Sequence, residues 1–456
     1  MGTVQLVVFE RFSSGKAFGD NVVPWARNFV TKFQPQPHTS QSPDFTRLKQ
    51  VFSQLSASSK MSSELWQNVP LAPPDSIFKL TAAYKADTFD KKVNLGVGAY
   101  RDDNDKPWIL PVVRKAEEII LNTPALDHEY LPITGLPEFT IAAAKLILGP
   151  DSSAIAEGRV TTVQTISGTG ANHLGALFLS RFYQWSGDKK EVYLSDPTWA
   201  NHPAIFNNVG IASLYYPYYD PKTIGLNFDG FVSSLKSAPS GSVFLIHACA
   251  HNPTGVDPTR DQWDAIAKIM LDKGHYGFFD CAYQGFASGD LDNDAWAVRF
   301  FVDKGVNMLI CQSFAKNAGL YGERVGALHV VSPNKEAAER VKSQLSVLQR
   351  SEISNPPSYG ARIRDISTMA GRIIDMRKEL FKILTEELHT PGNWDHIVNQ
   401  IGMFSFTGIT PEQSKALTEK AHIYLTVNGR ISMTGLNRNN IRYFATSLDA
   451  AVRGTL

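Results

Sequence analysis

Lys316 has the sequence context in which a lysine could act as a nucleophile. It follows residues 308–311, an apolar run typical of a buried strand, and stands in a short polar loop with Ser313. A Schiff-base lysine needs the lowered pKa that burial gives an amine, whereas most lysines keep their charge in water. For one lysine taken alone, a solvated loop position is the more common alternative. The other polar clusters therefore decide the interpretation.

Four other side chains follow strand-like segments and could contact an aromatic ring: Asp280, Tyr283, Asn252 and Trp199. Asp280 could be a turn or helix-capping residue, which is the commoner role, or a buried carboxylate, which would need a cationic partner. Tyr283 and Asn252 could hydrogen-bond an anionic oxygen. Trp199 offers a face for stacking, although most tryptophans serve in packing.

A phosphate group could be bound where Ser-Gly-Thr-Gly-Ala, residues 167–171, opens a predicted helix. Backbone N–H groups at a helix N-terminus suit an anion, and Gly168 and Thr169 would lie there. The spacing fits neither a dinucleotide fingerprint nor a P-loop, so a plain glycine turn is the alternative. Ser313 and Arg324 could add a hydroxyl and a fixed charge.

These clusters together fit one cofactor, pyridoxal phosphate, which requires a lysine, a carboxylate for its ring nitrogen and a phosphate site. The elements that must position them are predicted strands at 160–166, 191–194, 243–249, 276–279 and 308–311, alternating with helices. This rhythm is typical of an α/β protein with a largely parallel sheet. Ligands bind at the carboxyl ends of such strands, which is where every cluster falls.

Composition limits the possible classes of function. The 456 residues are 43% hydrophobic and 20% charged, and the net charge of +1 creates no field suited to nucleic acid or an anionic membrane. No apolar run approaches the ~20 residues of a membrane helix. The three cysteines lack metal-site spacing and are too few for a disulfide framework, so we expect no metal and a reducing compartment. An intracellular soluble enzyme is predicted.

Residues 1–60 differ from the rest, with seven basic and three acidic residues and many Ser, Gln and Pro. A basic, serine-rich segment could be a mitochondrial transit segment. It could also be a disordered tail or an extension upstream of a start at Met61. We expect a dispensable extension and a cytoplasmic location, because Asp44 and a Pro-Gln-Pro-His run interrupt any amphipathic helix; mitochondria are the alternative.

Several motifs from Met61 onward closely resemble the aspartate aminotransferase family, class I pyridoxal-phosphate-dependent enzymes, in its cytosolic eukaryotic branch. They are residues 94–102, 251–255, 280–285, 313–317, 320–326, 354–357 and 429–431. The resemblance implies a fold-type I homodimer with shared active sites. It also implies a large domain with a mostly parallel seven-stranded sheet and a smaller α+β domain. The implied domains are an extension at 1–60, an arm and part of the small domain at 61–109, the large domain at 110–360, and the interdomain helix with the small domain at 361–456.

The resemblance also implies roles for the site residues. Lys316 would be the Schiff-base lysine and proton shuttle, Asp280 the partner of the ring nitrogen, and Trp199 the stacking residue. Tyr283 and Asn252 would hold the phenolic oxygen. The implied phosphate ligands are Gly168, Thr169, Ser313, Arg324 and, from the neighbouring subunit, Tyr130.

Two arginines would select dicarboxylic amino and keto acids. Arg430 would bind the α-carboxylate and Arg350, from the other subunit, the distal carboxylate, each through a two-pronged contact. Gly98 would let backbone approach the substrate, and Phe404 would line the pocket. The implied reaction exchanges an amino group between L-aspartate and 2-oxoglutarate, giving oxaloacetate and L-glutamate by a ping-pong route through pyridoxamine phosphate. An aminotransferase that also accepts aromatic amino acids is the alternative.

The chain departs from the family pattern between residues 363 and 367, where it is shorter by about 15 residues, or about 22 Å of helix. No implied catalytic residue is lost there. A non-catalytic isoform that pairs with a full-length partner is therefore a further alternative.

Overall fold

The computed structural model describes residues 66–72, 76–96, 98–103, 106, 108–123, 127–362, 369–400 and 404–456. The chain divides into two compact units, Met1–Pro73 and Pro74–Leu456. In the first unit, the described part is a turn in which the Val69 N–H donates to the Trp66 carbonyl. In the part of the chain that the structure describes, no helix is long and apolar enough to cross a membrane.

The described strands, in chain order, are β1 Val93–Asn94, β2 Val160–Ile166, β3 Glu191–Asp196, β4 Ala212–Pro217, β5 Tyr219–Asp220, β6 Gly225–Leu226, β7 Val243–His247, β8 Tyr276–Cys281, β9 Met308–Ser313, β10 Val325–Val331, β11 Phe404–Phe406, β12 Ile423–Tyr424 and β13 Arg430–Ser432. The described α-helices are α1 Ser76–Ala86, α2 Pro111–Leu121, α3 Pro137–Leu148, α4 Ser153–Ala156, α5 Ser167–Phe182, α6 His202–Asn208, α7 Phe228–Ser237, α8 Arg260–Lys273, α9 Leu291–Asp294, α10 Trp296–Asp303, α11 Lys335–Glu352, α12 Met369–Lys382, α13 His396–Asn399, α14 Pro411–Ala421 and α15 Ile441–Arg453. All five strands that the sequence predicts for the large sheet are present.

A seven-stranded sheet forms the centre of the larger part, in the order β2-β10-β9-β8-β7-β3-β4. Strand β10 runs antiparallel to both of its neighbours, and the remaining pairs are parallel. Every residue of β7 and β9 is buried, as expected where helices cover both faces of a sheet. The prediction of a mostly parallel seven-stranded sheet in an α/β protein is confirmed.

Strand register brings the predicted polar residues to one edge of this sheet. His247 at the end of β7 is the register partner of Asp280 in β8, and Asp280 is in turn the partner of Cys311 in β9. Ser313 ends β9, and the loop with Lys316 follows. Because these strands are parallel, their carboxyl ends lie at the same edge.

A smaller α+β portion surrounds two short strand pairs, β1 with β12 and β11 with β13. Helix α12 continues as a π-helical turn at Ile383–Glu387, and Met376, Leu380 and Ile383 are buried in the core that this portion shares with α14 and α15. Their spacing of four and three residues places them on one face of the helix. The shortened segment 363–367 lies outside the described residues.

Candidate active site

Asp280 provides a buried negative charge at the carboxyl edge of the sheet. Its side chain is 6% exposed, and its Oδ2 lies 3.2 Å from Nε2 of His202, the first residue of α6. Burial alone would raise the pKa of Asp280. The hydrogen bond from His202, together with the electrostatic interactions with His202, His247 and Lys316, outweighs burial, so the pKa lies below its ordinary value.

Lys316 is half-buried in the loop that leaves β9, and its Nζ lies 5.2 Å from the centre of the Tyr283 ring. Burial lowers the pKa of Lys316, Asp280 raises it, and the positive charge of Arg324 lowers it further, with a net shift downward. A lysine with a lowered pKa holds a larger fraction of neutral amine near pH 7, which is the form that reacts with carbonyl groups.

Tyr283 and Asn252 form a hydrogen-bonded pair next to this amine. The Asn252 Nδ2 donates to the Tyr283 hydroxyl over 3.3 Å, and both side chains are buried. Burial raises the pKa of Tyr283, so the phenol stays protonated and able to donate. The Asn252 Oδ1 is buried and has no hydrogen-bond partner among the described residues. An unpaired buried oxygen of this kind is explained most simply by a bound group.

The first turn of α5 lies against the end of β9. Ser167 has φ +62°, its N–H donates to the Arg324 carbonyl over 2.9 Å, and its Oγ lies 3.5 Å from that of Ser313. A Cβ atom on Gly168 would lie 2.8 Å from the Ser313 Cβ, so only glycine fits here. Thr169 follows, half-buried. Gly168, Thr169 and Ser313 therefore come together around one helix N-terminus. The Arg324 backbone lies beside them, and its exposed guanidinium donates to the Tyr321 carbonyl over 3.1 Å.

Arg430 occupies the other side of the site, in β13. Its guanidinium carbon lies 4.2 Å above the Phe404 ring, and its Nη2 donates to the Gly96 carbonyl over 2.9 Å. The Arg430 Nε is buried and meets no acceptor in the described part of the chain. A Cβ on Gly98 would lie 2.6 Å from the Phe404 ring, so glycine is required for this close packing. The Phe404 ring also meets Tyr283 edge-on, at 6.1 Å.

Trp199 is half-buried and contacts the site through His202, whose ring it meets perpendicularly at 5.1 Å. Tyr130 and Arg350 do not join the cluster within the chain as described. The Tyr130 residue is 82% exposed, and Arg350 is exposed at the end of α11, where it donates to the Ser354 hydroxyl. Their expected roles would require a second subunit.

The sequence reasoning assigned no role to three side chains that the fold places in the site: Ser167, His202 and His247. Ser167 belonged to the recognised glycine segment, and its hydroxyl faces Ser313. The two histidines follow or end strands β3 and β7, so their position at the carboxyl edge was the available signal. Burial lowers the pKa of His247 to about 3, helped by the neighbouring His202 and opposed by Asp280, so this ring is neutral.

Comparison with known proteins agrees with this geometry. The family model for class I and II aminotransferases matches residues 90–448. The cytoplasmic aspartate aminotransferase of Schizosaccharomyces pombe is 49% identical, over 86% of this chain and 99% of that protein. The alignment is 409 positions long, which is more than 86% of the 456 residues of this chain. Some of its positions are therefore gaps in this chain, in keeping with the shortened segment.

Solved structures give the same result. The aspartate aminotransferase from the cytoplasm of Saccharomyces cerevisiae is 50% identical with a TM-score of 0.82, covering 86% of this chain and 100% of that one. An aromatic-amino-acid aminotransferase from Burkholderia pseudomallei, covalently bound to pyridoxal phosphate, is 39% identical with a TM-score of 0.81, covering 85% and 99%. The chain therefore belongs to the class I and II aminotransferase family, among its aspartate aminotransferases.

Proposed function

We propose that this chain transfers the amino group between L-aspartate and 2-oxoglutarate, with pyridoxal phosphate held at the edge of the large sheet. The observation that carries the proposal is the position of Lys316, a half-buried amine with a lowered pKa, beside the buried carboxylate of Asp280. Relatives named aspartate aminotransferase at 49% and 50% identity support the choice of substrates.

The side chains at this edge have the chemistry that pyridoxal phosphate requires. Gly168, Thr169, Ser313 and the Ser167 hydroxyl would hold the phosphate at the start of α5, with Arg324 supplying the positive charge. The Asn252 and Tyr283 pair would hold the phenolic oxygen. The Asp280 carboxylate would hold the ring nitrogen in its protonated form, and Trp199 would stack on the ring. When bound, the cofactor supplies a carbon that accepts the amino group and a ring that withdraws electrons.

Lys316 would first attach the cofactor and then move a proton. As a free amine, its Nζ would serve as the base for the proton on the substrate Cα. Because burial lowers its pKa, the neutral amine can take the Cα proton near pH 7. The nearby Tyr283 stays protonated, so it orients oxygen atoms without competing for that proton.

Arg430 would bind the α-carboxylate of the substrate. Its Nη2 is already fixed by Gly96, and its Phe404 contact fixes the plane of the guanidinium. A planar fork held in this way pairs with a carboxylate through two hydrogen bonds. Arg350 of a second subunit would bind the distal carboxylate and so select dicarboxylic substrates. We therefore propose a homodimer with shared sites. We also propose a cytoplasmic location, because two of the relatives, at 49% and 50% identity, are named cytoplasmic aspartate aminotransferases.

An aminotransferase with aromatic substrates is less well supported. The aromatic-amino-acid relatives are 39% and 37% identical, against 50% for the Saccharomyces cerevisiae aspartate aminotransferase. Comparing kcat/KM for aspartate and phenylalanine separates the two activities. A preference for phenylalanine would overturn the choice of aspartate.

The attachment of cofactor to Lys316 tests the proposed function directly. Purified chain is mixed with pyridoxal phosphate, reduced with borohydride and digested, and the modified peptide is identified by mass spectrometry. We expect one cofactor per chain on Lys316, and transamination that is abolished in Lys316→Ala. The control Lys342→Ala, at an exposed position of α11, retains both. A chain that captures no cofactor would match the non-catalytic alternative and overturn the proposal.

A further inference from the structure

Three buried side chains form a compact group of possible metal ligands. They are His202 at the start of α6, His247 at the end of β7 and Asp280 in β8. One nitrogen or oxygen atom of each lies within 4.8 Å of the others. The group is 0% exposed at His202, 4% at His247 and 5% at Asp280. Register explains the arrangement, because His247 and Asp280 are partners on adjacent parallel strands and face the same side of the sheet.

His247 is the member of this group that the transamination chemistry does not explain. Both of its ring nitrogens are buried and have no hydrogen-bond partner among the described residues. The ring lies 5.3 Å from that of His202. A neutral imidazole left unpaired in the interior loses hydrogen bonds that it had in water, which is costly unless another group satisfies it. His202 already donates a hydrogen bond to Asp280, so His247 is not needed for that purpose.

We propose that His202, His247 and Asp280 bind a divalent transition-metal ion such as Zn²⁺ when the cofactor is absent, and that the ion and the cofactor exclude each other. Two imidazoles and one carboxylate, with a water in the fourth position, are a ligand set that Zn²⁺ prefers. Ligand atoms in a tetrahedral zinc site lie about 3.4 Å apart, since each is about 2.1 Å from the metal. The 3.2 Å between His202 and Asp280 already fits that spacing, and the His247 ligand atom, which lies within 4.8 Å of the other two, would move closer by up to about 1.4 Å.

The hydrogen bond on the far side of His202 can support metal binding. Its Nδ1 lies 2.8 Å from the Thr198 hydroxyl. When the Nε2–H donates to Asp280, the threonine hydroxyl donates to Nδ1. With a metal on Nε2, the ring proton would lie on Nδ1, and the Nδ1–H would donate a hydrogen bond to the threonine oxygen. Ligating histidines are commonly oriented by such a second hydrogen bond.

Exclusion of the cofactor follows from the shared carboxylate and rests on the proposed function. The Asp280 carboxylate would bind the ring nitrogen in one state and the ion in the other. A positive ion at that point also repels a protonated ring nitrogen. The metal would therefore act as an inhibitor of cofactor loading, with its site built from residues that the loaded enzyme uses for other purposes.

Cobalt titration tests the site, because tetrahedral Co²⁺ has a visible absorption spectrum and replaces Zn²⁺. The full chain is prepared without a polyhistidine tag and freed of pyridoxal phosphate. We expect one equivalent of Co²⁺ to bind, with affinity reduced at least tenfold in His247→Gln. The control His173→Gln changes a half-buried histidine that lies outside the metal site and pairs with Glu352, and it leaves binding unchanged. Equal binding by wild type and His247→Gln would overturn the proposed site.

Exclusion is tested on chain whose cofactor has been fixed to Lys316 by borohydride, because no free pyridoxal phosphate then chelates the metal. We expect this chain to bind less than one tenth of the Co²⁺ bound by the cofactor-free chain. Full binding to cofactor-fixed chain would overturn exclusion. If cofactor capture fails while Co²⁺ binding still depends on His247, the metal site is supported and only the proposed transaminase function is lost.

Discussion

Asp280 illustrates at the scale of a residue how a buried charge is held. Water reaches almost none of it, so hydrogen bonds must replace hydration. The donor that the structure provides is His202, itself fixed by Thr198 on its other nitrogen. The chain Thr198–His202–Asp280 therefore keeps the carboxylate charged and oriented toward the site. The same carboxylate would be needed by the ring nitrogen of a bound cofactor.

Removing the His202 side chain should weaken both folding and cofactor binding. His202→Ala leaves the buried carboxylate without its donor, a loss of about 1.5–3 kcal/mol for a hydrogen bond to a charged group. We expect a lower apparent Tm and pyridoxal phosphate affinity reduced by about tenfold or more, measured by thermal denaturation and by titration of cofactor fluorescence. His173→Ala, at the surface pair with Glu352, serves as the control and should change neither. Wild-type cofactor affinity in His202→Ala would show that His202 does not position Asp280.

At the scale of an element, the edge of the large sheet is well predicted from the sequence, because each apolar run that forms one of the predicted strands is followed by a polar cluster. Strand β2 was predicted with its observed bounds. Strands β4 and β10 were not assigned. In β4 only Tyr216 is buried, so no apolar run marks it. In β10 the run is interrupted by His329, a buried histidine whose two nitrogens contact Thr162 and Gln312.

The site residues were likewise predictable where a local sequence pattern marks them. Residues within recognisable motifs, such as Lys316 and Asp280, could be assigned roles from their neighbours in the sequence. The partnership of His202 and His247 with Asp280 could not, because it depends on the register between β7 and β8 and on where α6 begins. Neither register nor helix entry is encoded in a local pattern.

The junction between α5 and β9 makes a prediction about Gly168. Gly168→Ala places a methyl group 2.8 Å from the Ser313 Cβ, and overpacking of this kind costs about 1–3 kcal/mol. Since Ser313 or the helix start must move, we expect pyridoxal phosphate affinity to fall about tenfold in an equilibrium titration. Gly322→Ala, in the loop between Lys316 and Arg324, has no atom within 4 Å of the new carbon and should bind normally. Equal affinities of the two variants would contradict a phosphate site at this junction.

The contact between α1 and β12 makes a prediction about pH. Asp87 follows α1, and its Oδ2 accepts from the Tyr424 hydroxyl over 2.6 Å and lies 2.7 Å from the His422 Nδ1. The Tyr424 hydrogen bond, the Phe89 N–H and His422 lower the pKa of Asp87 to about 2. Since the pKa is lower when folded than its unfolded value of about 3.9, the contribution to stability is complete above about pH 4 and is lost as the pH falls toward 2.

Asp87→Asn should therefore reduce stability at neutral pH, and the difference from wild type should shrink between pH 4 and pH 2. Urea denaturation at a series of pH values measures it. Asp90→Asn, at an exposed neighbouring position, is the matched control and should follow the wild-type curve. A constant difference between Asp87→Asn and wild type across this range would show that the charge of Asp87 is not what stabilises the contact.

At the scale of the whole molecule, two of the expected site residues are exposed and do not join the site of their own chain. Tyr130 is 82% exposed, and Arg350 is exposed on α11 one helical turn after Val347, which is itself 61% exposed. Exposed apolar side chains beside residues expected to function in a site suggest a surface that a second chain covers. In the proposed homodimer each site combines Lys316 of one chain with Arg350 of the other.

Complementation between two inactive chains tests this arrangement. A Lys316→Ala chain has no attachment point for the cofactor, and an Arg350→Asp chain repels the distal carboxylate of aspartate. If Arg350 acts across the interface, a mixed dimer has one site with both defects and one with neither. Random pairing of equal amounts makes half of the dimers mixed, so about a quarter of the wild-type sites should be restored. Coexpressed chains are assayed for aspartate turnover against each homodimer.

The control replaces Arg350→Asp with Arg340→Asp, an exposed arginine of the same helix, and shows whether a Lys316→Ala partner harms an intact chain. If Arg350 instead serves the site of its own chain, no dimer contains a site with both residues intact. Activity of the mixture would then equal the average of the two homodimers, which would contradict the shared site. Restored activity that is selective for aspartate over phenylalanine would also assign the distal carboxylate to Arg350.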